Sequence, residues 1–185
     1  MCRVYVRLAA MVLAFAPVSI AQAHNTCRDA RLPSDAQLLI AKTFPDWRPK
    51  LVSDLGSEGQ QLWLKAHPKE CPGIAVGHFE ELDSLSYGIL LVPKSEVDGG
   101  YKIVVLSKVA TADAYSLRLL DHSEGQPYSN SGLVISKVAP GAYSDFEETK
   151  SVRLKLDAVN VEWIEKGEVL YYWSHGKYRT IQTSD

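Results

Sequence analysis

The chain has 185 residues, 20 basic and 22 acidic, for a formal net charge of −2. There is no basic run, so nucleic acid and anionic membrane surfaces are excluded as natural partners. Few residues are charged and nearly half are apolar, which is the composition of a globular chain rather than a disordered one.

The first segment reads as a secretory signal. Arg3 and Arg7 precede a mostly apolar stretch from Leu8 to Ile20, and Ala21-Gln22-Ala23 is an A-x-A cleavage site. The apolar stretch is too short for a comfortable span and is interrupted by Pro17. Residues 1–23 are therefore expected to be a signal peptide, and 24–185 a single domain in the periplasm or outside the cell. Cleavage removes two arginines and no acid, so the mature charge falls from −2 to −4. It also exposes His24 as the new terminus. A terminal histidine with a second histidine could hold copper as a histidine brace. Cys27 tethers this end three residues on, however, and no metal or other cofactor is assigned.

Cys27 and Cys71 are the two cysteines left after cleavage. An even pair in an exported chain predicts one disulfide, closing a loop of 44 residues. Next, Ser34-Asp35-Ala36-Gln37 has the form of a capping box, and Ala36, Leu39, Ile40 and Phe44 follow at helical spacing. The spacing predicts a helix over Asp35–Phe44, stopped by Pro45. Pro45 to Pro49 reads as a rigid loop carrying Trp47. Leu62, Trp63 and Ala66 suggest a second short helix ended by Pro68, with a strand through Leu62–Leu64 as the alternative.

From Cys71 the texture is β. Ile74–Gly77 and Leu85–Val92 flank a polar acidic turn, which is the pattern of a hairpin. Ile89-Leu90-Leu91-Val92 is apolar at every position, so this strand is expected to be covered on both faces. Tyr101–Val109, Tyr115–Leu120 and Leu133–Val138 read as further strands. A meander follows: Val152–Leu156, Val159–Trp163, Val169–Trp173 and Tyr178–Thr183, with a turn at His175-Gly176. The expected fold class is α+β: one or two N-terminal helices packed on a mainly antiparallel sheet of about seven strands.

The run GHFEELDSLSYGILL resembles a degenerate FG-GAP hairpin of the integrin-α type, with Gly77, Phe79 and Leu90-Leu91 at matching positions. The chain also resembles small exported bacterial proteins of unknown function that carry one such hairpin. The resemblance implies a strand, a loop and a strand. It does not carry calcium with it, because the ligand positions fall on His78, Glu80, Leu82 and Ser86, and leucine cannot coordinate.

Candidate binding residues are His78 and Glu80 in the central turn, and Trp173 and Tyr178 in the aromatic C-terminal hairpin. His78 and Glu80 share a strand face and could form an acid–base pair. Val169, Tyr171 and Trp173 alternate with Leu170 and Tyr172, so one set is expected in the core and the other free for contact. There is no G-x-S-x-G elbow, and no spacing ties Ser129 or Ser131 to a histidine, so no catalytic residue is assigned. The expected function is an exported non-enzymatic module that binds another protein, in an inhibitor- or immunity-type role. A glycan- or cell-wall-binding protein using the aromatic hairpin is the alternative. No membrane partner is expected after cleavage.

Overall fold

The computed structural model describes residues 27, 30, 32–95, 99–109, 114–124 and 131–185. The segment expected to be a signal peptide, His24 and Ser129 lie outside the described residues.

The expectation of one sheet with helices on it is overturned. The chain is β-rich: the described residues form eleven strands in three antiparallel sheets and two ten-residue helices. The first sheet holds β1 (Trp47–Pro49), β2 (Ile74–Gly77), β3 (Ser86–Pro93), β4 (Gly100–Lys108) and β5 (Tyr115–Glu124). β1 and β2 share one side of β3, and β4 and β5 follow on the other. The second sheet runs β11 (Lys177–Ser184), β10 (Gly167–Ser174), β9 (Ala158–Trp163), β6 (Leu133–Val138). A small ribbon pairs β7 (Ala142–Ser144) with β8 (Ser151–Arg153).

The two larger sheets face each other. Ala75, Leu90, Ile103 and Val105 of the first pack against Leu133, Ile135, Val159 and Val161 of the second, all buried. The opposite face of the first sheet, through Ile89, Leu91, Val104 and Leu106, is covered by helix α1 (Ser34–Thr43) with Leu32, Ala36 and Ile40. This explains the unbroken apolar run at Ile89–Val92: each of the four is fully buried, with Leu90 against the second sheet and Ile89 and Leu91 against α1. Helix α2 (Ser57–Ala66) lies elsewhere, its Trp63 packed with Val52 and Leu55 on Val134 of the second sheet. The physical reason for the correction is that period-2 alternation marks a face as buried without saying whether a helix or a second sheet buries it.

Both helices start differently from the capping-box pattern. Pro33 and Gly56 occupy the cap positions, and neither makes a side-chain cap bond. Instead the glutamine at the fourth residue of each helix reaches back: Gln37 donates to Leu32 O at 2.6 Å and Gln60 to Leu55 O at 2.7 Å. The Pro45–Pro49 loop contains the short strand β1. Arg48 holds it in place by donating two bonds to Asp54, at 2.5 and 2.8 Å. Burial works against the Asp54 charge, but these bonds and the Leu51 N–H outweigh it and hold the carboxyl below its usual range.

Cys27 and Cys71 form the expected disulfide, with Cα atoms 4.7 Å apart. It fixes the N-terminal segment to the start of the central hairpin, beside buried Gly73. A Cβ at Gly73 would lie 2.6 Å from the backbone nitrogen of Lys50, so only glycine fits there. A disulfide fits an oxidising compartment. Among the described residues no helix is long and apolar enough to cross a membrane.

The strand expected over Val152–Leu156 is cut to Ser151–Arg153. Leu154 N–H turns back to Gly141 O at 2.7 Å, and Asp157 N–H donates to His78 O at 3.1 Å. Residues 154–157 thus form a strap between the ribbon and β9. The β10–β11 turn is His175-Gly176, with φ of 52° and 76°. Two positive φ values in a two-residue loop are the geometry that matches strand twist, and glycine takes the second without strain.

Candidate functional site

The central turn sends its two polar candidates in different directions. Phe79 is fully buried and anchors the turn in the core. His78 N–H donates to Asp157 Oδ2 at 2.8 Å, and its ring Nδ1 bonds the Ser84 carbonyl at 3.2 Å. A carbonyl only accepts, so Nδ1 carries the proton. Glu80 instead accepts from Arg118 Nε at 2.9 Å, with only 9% of its side chain exposed. The two have separate partners, and no acid–base pair is assembled.

Glu80, Trp173 and Tyr178 do come together, through Arg118. The Arg118 guanidinium lies 4.8 Å from the centre of the Trp173 ring. Trp173 stands opposite Tyr178 across β10 and β11, with ring centres 5.1 Å apart at 65°. The Tyr178 hydroxyl is buried beside Glu80 but lies outside hydrogen-bond geometry with any described residue. Burial first, and then the Glu80 charge, push this phenol far above its usual range.

A β-bulge sets this arrangement. Pairing between β4 and β5 slips between Ile103 and Val104, leaving Arg118 opposite Val105 and Asp121 opposite Ile103. Residues three apart on a regular strand point to opposite faces; the extra residue puts Arg118 and Asp121 on the same, inward face. Asp121 there accepts from Tyr101 at 3.1 Å and Tyr171 at 3.2 Å. Burial, reinforced by the Asp121 charge, pushes Tyr101 up to about 12 and Tyr171 higher still. The sequence signal for Arg118 was present, a lone cation among leucines in S-L-R-L-L-D, but the bulge that aims it was not legible.

Trp173 also lines a surface groove of about 510 Å³. One wall is Tyr172 to His175; the other is Val152 to Asp157; Leu82 of the central turn sits at the rim. The groove exists because β9 stops short. β10 pairs with β9 only as far as Tyr171, opposite Val159, while it pairs with β11 to Ser174. Asp157 has left the sheet for His78, so among the described residues no strand pairs with 172–174 on that side. Leu82 is 68% exposed, and nearby in the chain Leu85 is 49% exposed. Arg153 and Lys155 line the groove as exposed cations with no ion pair among the described residues. Tyr178 does not line it.

Two smaller clefts lie elsewhere. One, about 380 Å³, has His67 stacked on Trp63 and faces Glu162, whose carboxyl is raised by burial and by Glu168. The other, about 370 Å³, is an apolar slot between α1 and β1. Among the described residues no group of three or more His, Cys, Asp or Glu is placed to hold a metal ion.

No protein-family profile, no curated protein sequence and no solved structure matches this chain.

Proposed function

We propose that this chain is an exported, non-enzymatic protein-binding module with an inhibitor- or immunity-type role in the periplasm or outside the cell. The groove between residues 152–157 and Tyr172–His175 is its docking site. The observation that carries this reading is the exposed Leu82 at the rim of a concave, aromatic-walled groove. Tyrosine and tryptophan are the side chains enriched at protein-binding centres, and here they wall a concave groove with an exposed leucine beside them. The mild negative charge and the disulfide suit an extracytoplasmic binder.

The rival glycan reading needs an open indole face for a sugar ring. Trp173 already has Arg118 over one face and Tyr178 packed against it, which favours a wall over a platform. The test is affinity capture from the extracytoplasmic fraction of the native cells, using the wild type, Leu82→Asp and Leu38→Asp. Leu38 is the control: it is 71% exposed and lies on α1, which covers the other sheet. One protein captured by the wild type and Leu38→Asp but lost with Leu82→Asp supports the reading. Equal capture by all three, or no captured protein, contradicts it.

A further inference from the structure

The groove combines two features that select its occupant. Its floor side is the stretch of β10 over residues 172–174, paired with β11 on one side and with no strand on the other among the described residues. An interior strand left bare for three residues keeps backbone donors and acceptors that an incoming extended segment can pair with. At about 3.3 Å per residue, three residues of β10 offer a short pairing edge about 10 Å long. The second feature is charge. Arg153 and Lys155 stand on the facing wall without ion-pair partners among the described residues. The acid on that wall, Asp157, is 8% exposed, accepts the His78 N–H and makes no ion pair with either cation among the described residues, whereas Arg153 and Lys155 are exposed to an incoming segment. Leu82 and Tyr172 supply the apolar contacts.

We propose that the partner enters as an added β-strand on residues 172–174, presenting an extended segment that mixes apolar and acidic side chains, with the acids toward Arg153 and Lys155. This rests on the protein-binding reading above. It makes the bound peptide a continuation of the line that β9 abandons at Ala158. Affinity then comes from main-chain bonds, and selectivity from the alternate side chains.

The experiment selects a displayed library of random octapeptides against the purified mature chain. It then measures the affinity of enriched peptides carrying single backbone N-methyl groups at successive positions. The expected result is enrichment of acidic–apolar sequences whose binding is lost with Leu82→Asp and weakened with Arg153→Glu/Lys155→Glu. N-methylation should weaken binding by at least about 10-fold at the one or two alternate positions that face residues 172–174 and leave the neighbouring positions unchanged, because each blocked amide strands a hydrogen bond. Peptides that need Leu82 but tolerate every N-methyl group overturn strand addition and leave the groove reading standing. Peptides unaffected by Leu82→Asp bind elsewhere and overturn both. Enrichment of basic peptides, or of none, overturns the present proposal and leaves the groove reading to the capture experiment.

Discussion

Arg118 holds Trp173 and Glu80 at once: its guanidinium lies 4.8 Å from the centre of the indole ring, and its Nε donates to the carboxylate at 2.9 Å. One side chain on β5 thereby joins the central turn to the C-terminal hairpin. Both partners border the groove, Trp173 as part of its wall and Glu80 two residues before its rim at Leu82. The shape of the groove therefore depends on Arg118, which does not line it.

Removing that joint should loosen the turn. Arg118→Ala leaves Glu80, 9% exposed, without its cation beside the buried Tyr178 hydroxyl. A fully buried broken pair costs about 3–5 kcal/mol, but Arg118 is 44% exposed, so the expected loss is about 1–2 kcal/mol. Urea unfolding measures it, with Arg118→Lys intermediate because lysine keeps the charge and loses the planar stack. Unchanged stability in Arg118→Ala would show that the joint carries no energy.

High pH should attack the Asp121 cluster. Tyr101 is pushed up to about 12 in the fold by burial and Asp121. Below about pH 10, the ordinary phenol value, folded and unfolded forms are both protonated and this contribution is complete. Between about 10 and 12 only the unfolded chain releases its proton, so stability falls as pH rises. Tyr101→Phe should flatten that fall by about 1.4 kcal/mol per pH unit, the slope of one proton. The slope is the readout, because the lost hydrogen bond lowers the baseline separately. An identical slope in both proteins contradicts the assignment.

Gly73→Ala should be among the most damaging single changes. The added carbon falls on the Lys50 backbone, at the point where Leu90 N–H also reaches Gly73 O at 3.0 Å. Leu90 also accepts the Lys50 N–H at 2.9 Å and so ties both segments; parting them strains one of these two bonds, and a loss of about 3 kcal/mol or more is expected in thermal or urea unfolding. Gly56→Ala, with open space around the new carbon, should cost less than about 1 kcal/mol. Equal effects would contradict the close approach.

Reduction should act through the unfolded chain. The Cys27–Cys71 bridge closes 44 residues, and replacing both cysteines by serine should cost up to about 4 kcal/mol. Matched urea titrations test this, and a double variant as stable as the wild type rules it out.

Much of the strand pattern was legible because alternation is local. β3, β4, β6, β9, β10 and β11 fall where the apolar positions place them. Their division into two facing sheets was not, since Leu90 and Ile89 look alike in sequence while one meets the second sheet and the other meets α1. β1 was missed because a Trp-Arg-Pro strand has almost no β signature; its partner β3 and the Arg48–Asp54 pair define it. Of the four candidate site residues, Glu80, Trp173 and Tyr178 share one cluster, yet His78 turns to Ser84. The residues that complete the site, Arg118 and residues 152–157 at the end of β8 and in the strap, depend on a bulge and a broken strand, features that arise only from pairing across the chain.

The protein-binding reading is tested most directly by photo-crosslinking in the native cells, with a photoreactive residue placed at Leu82 in one protein and at Leu38 in another. The account predicts a single covalent adduct with one other polypeptide from Leu82 and none from Leu38. No adduct from Leu82, or the same adduct from both positions, would contradict it.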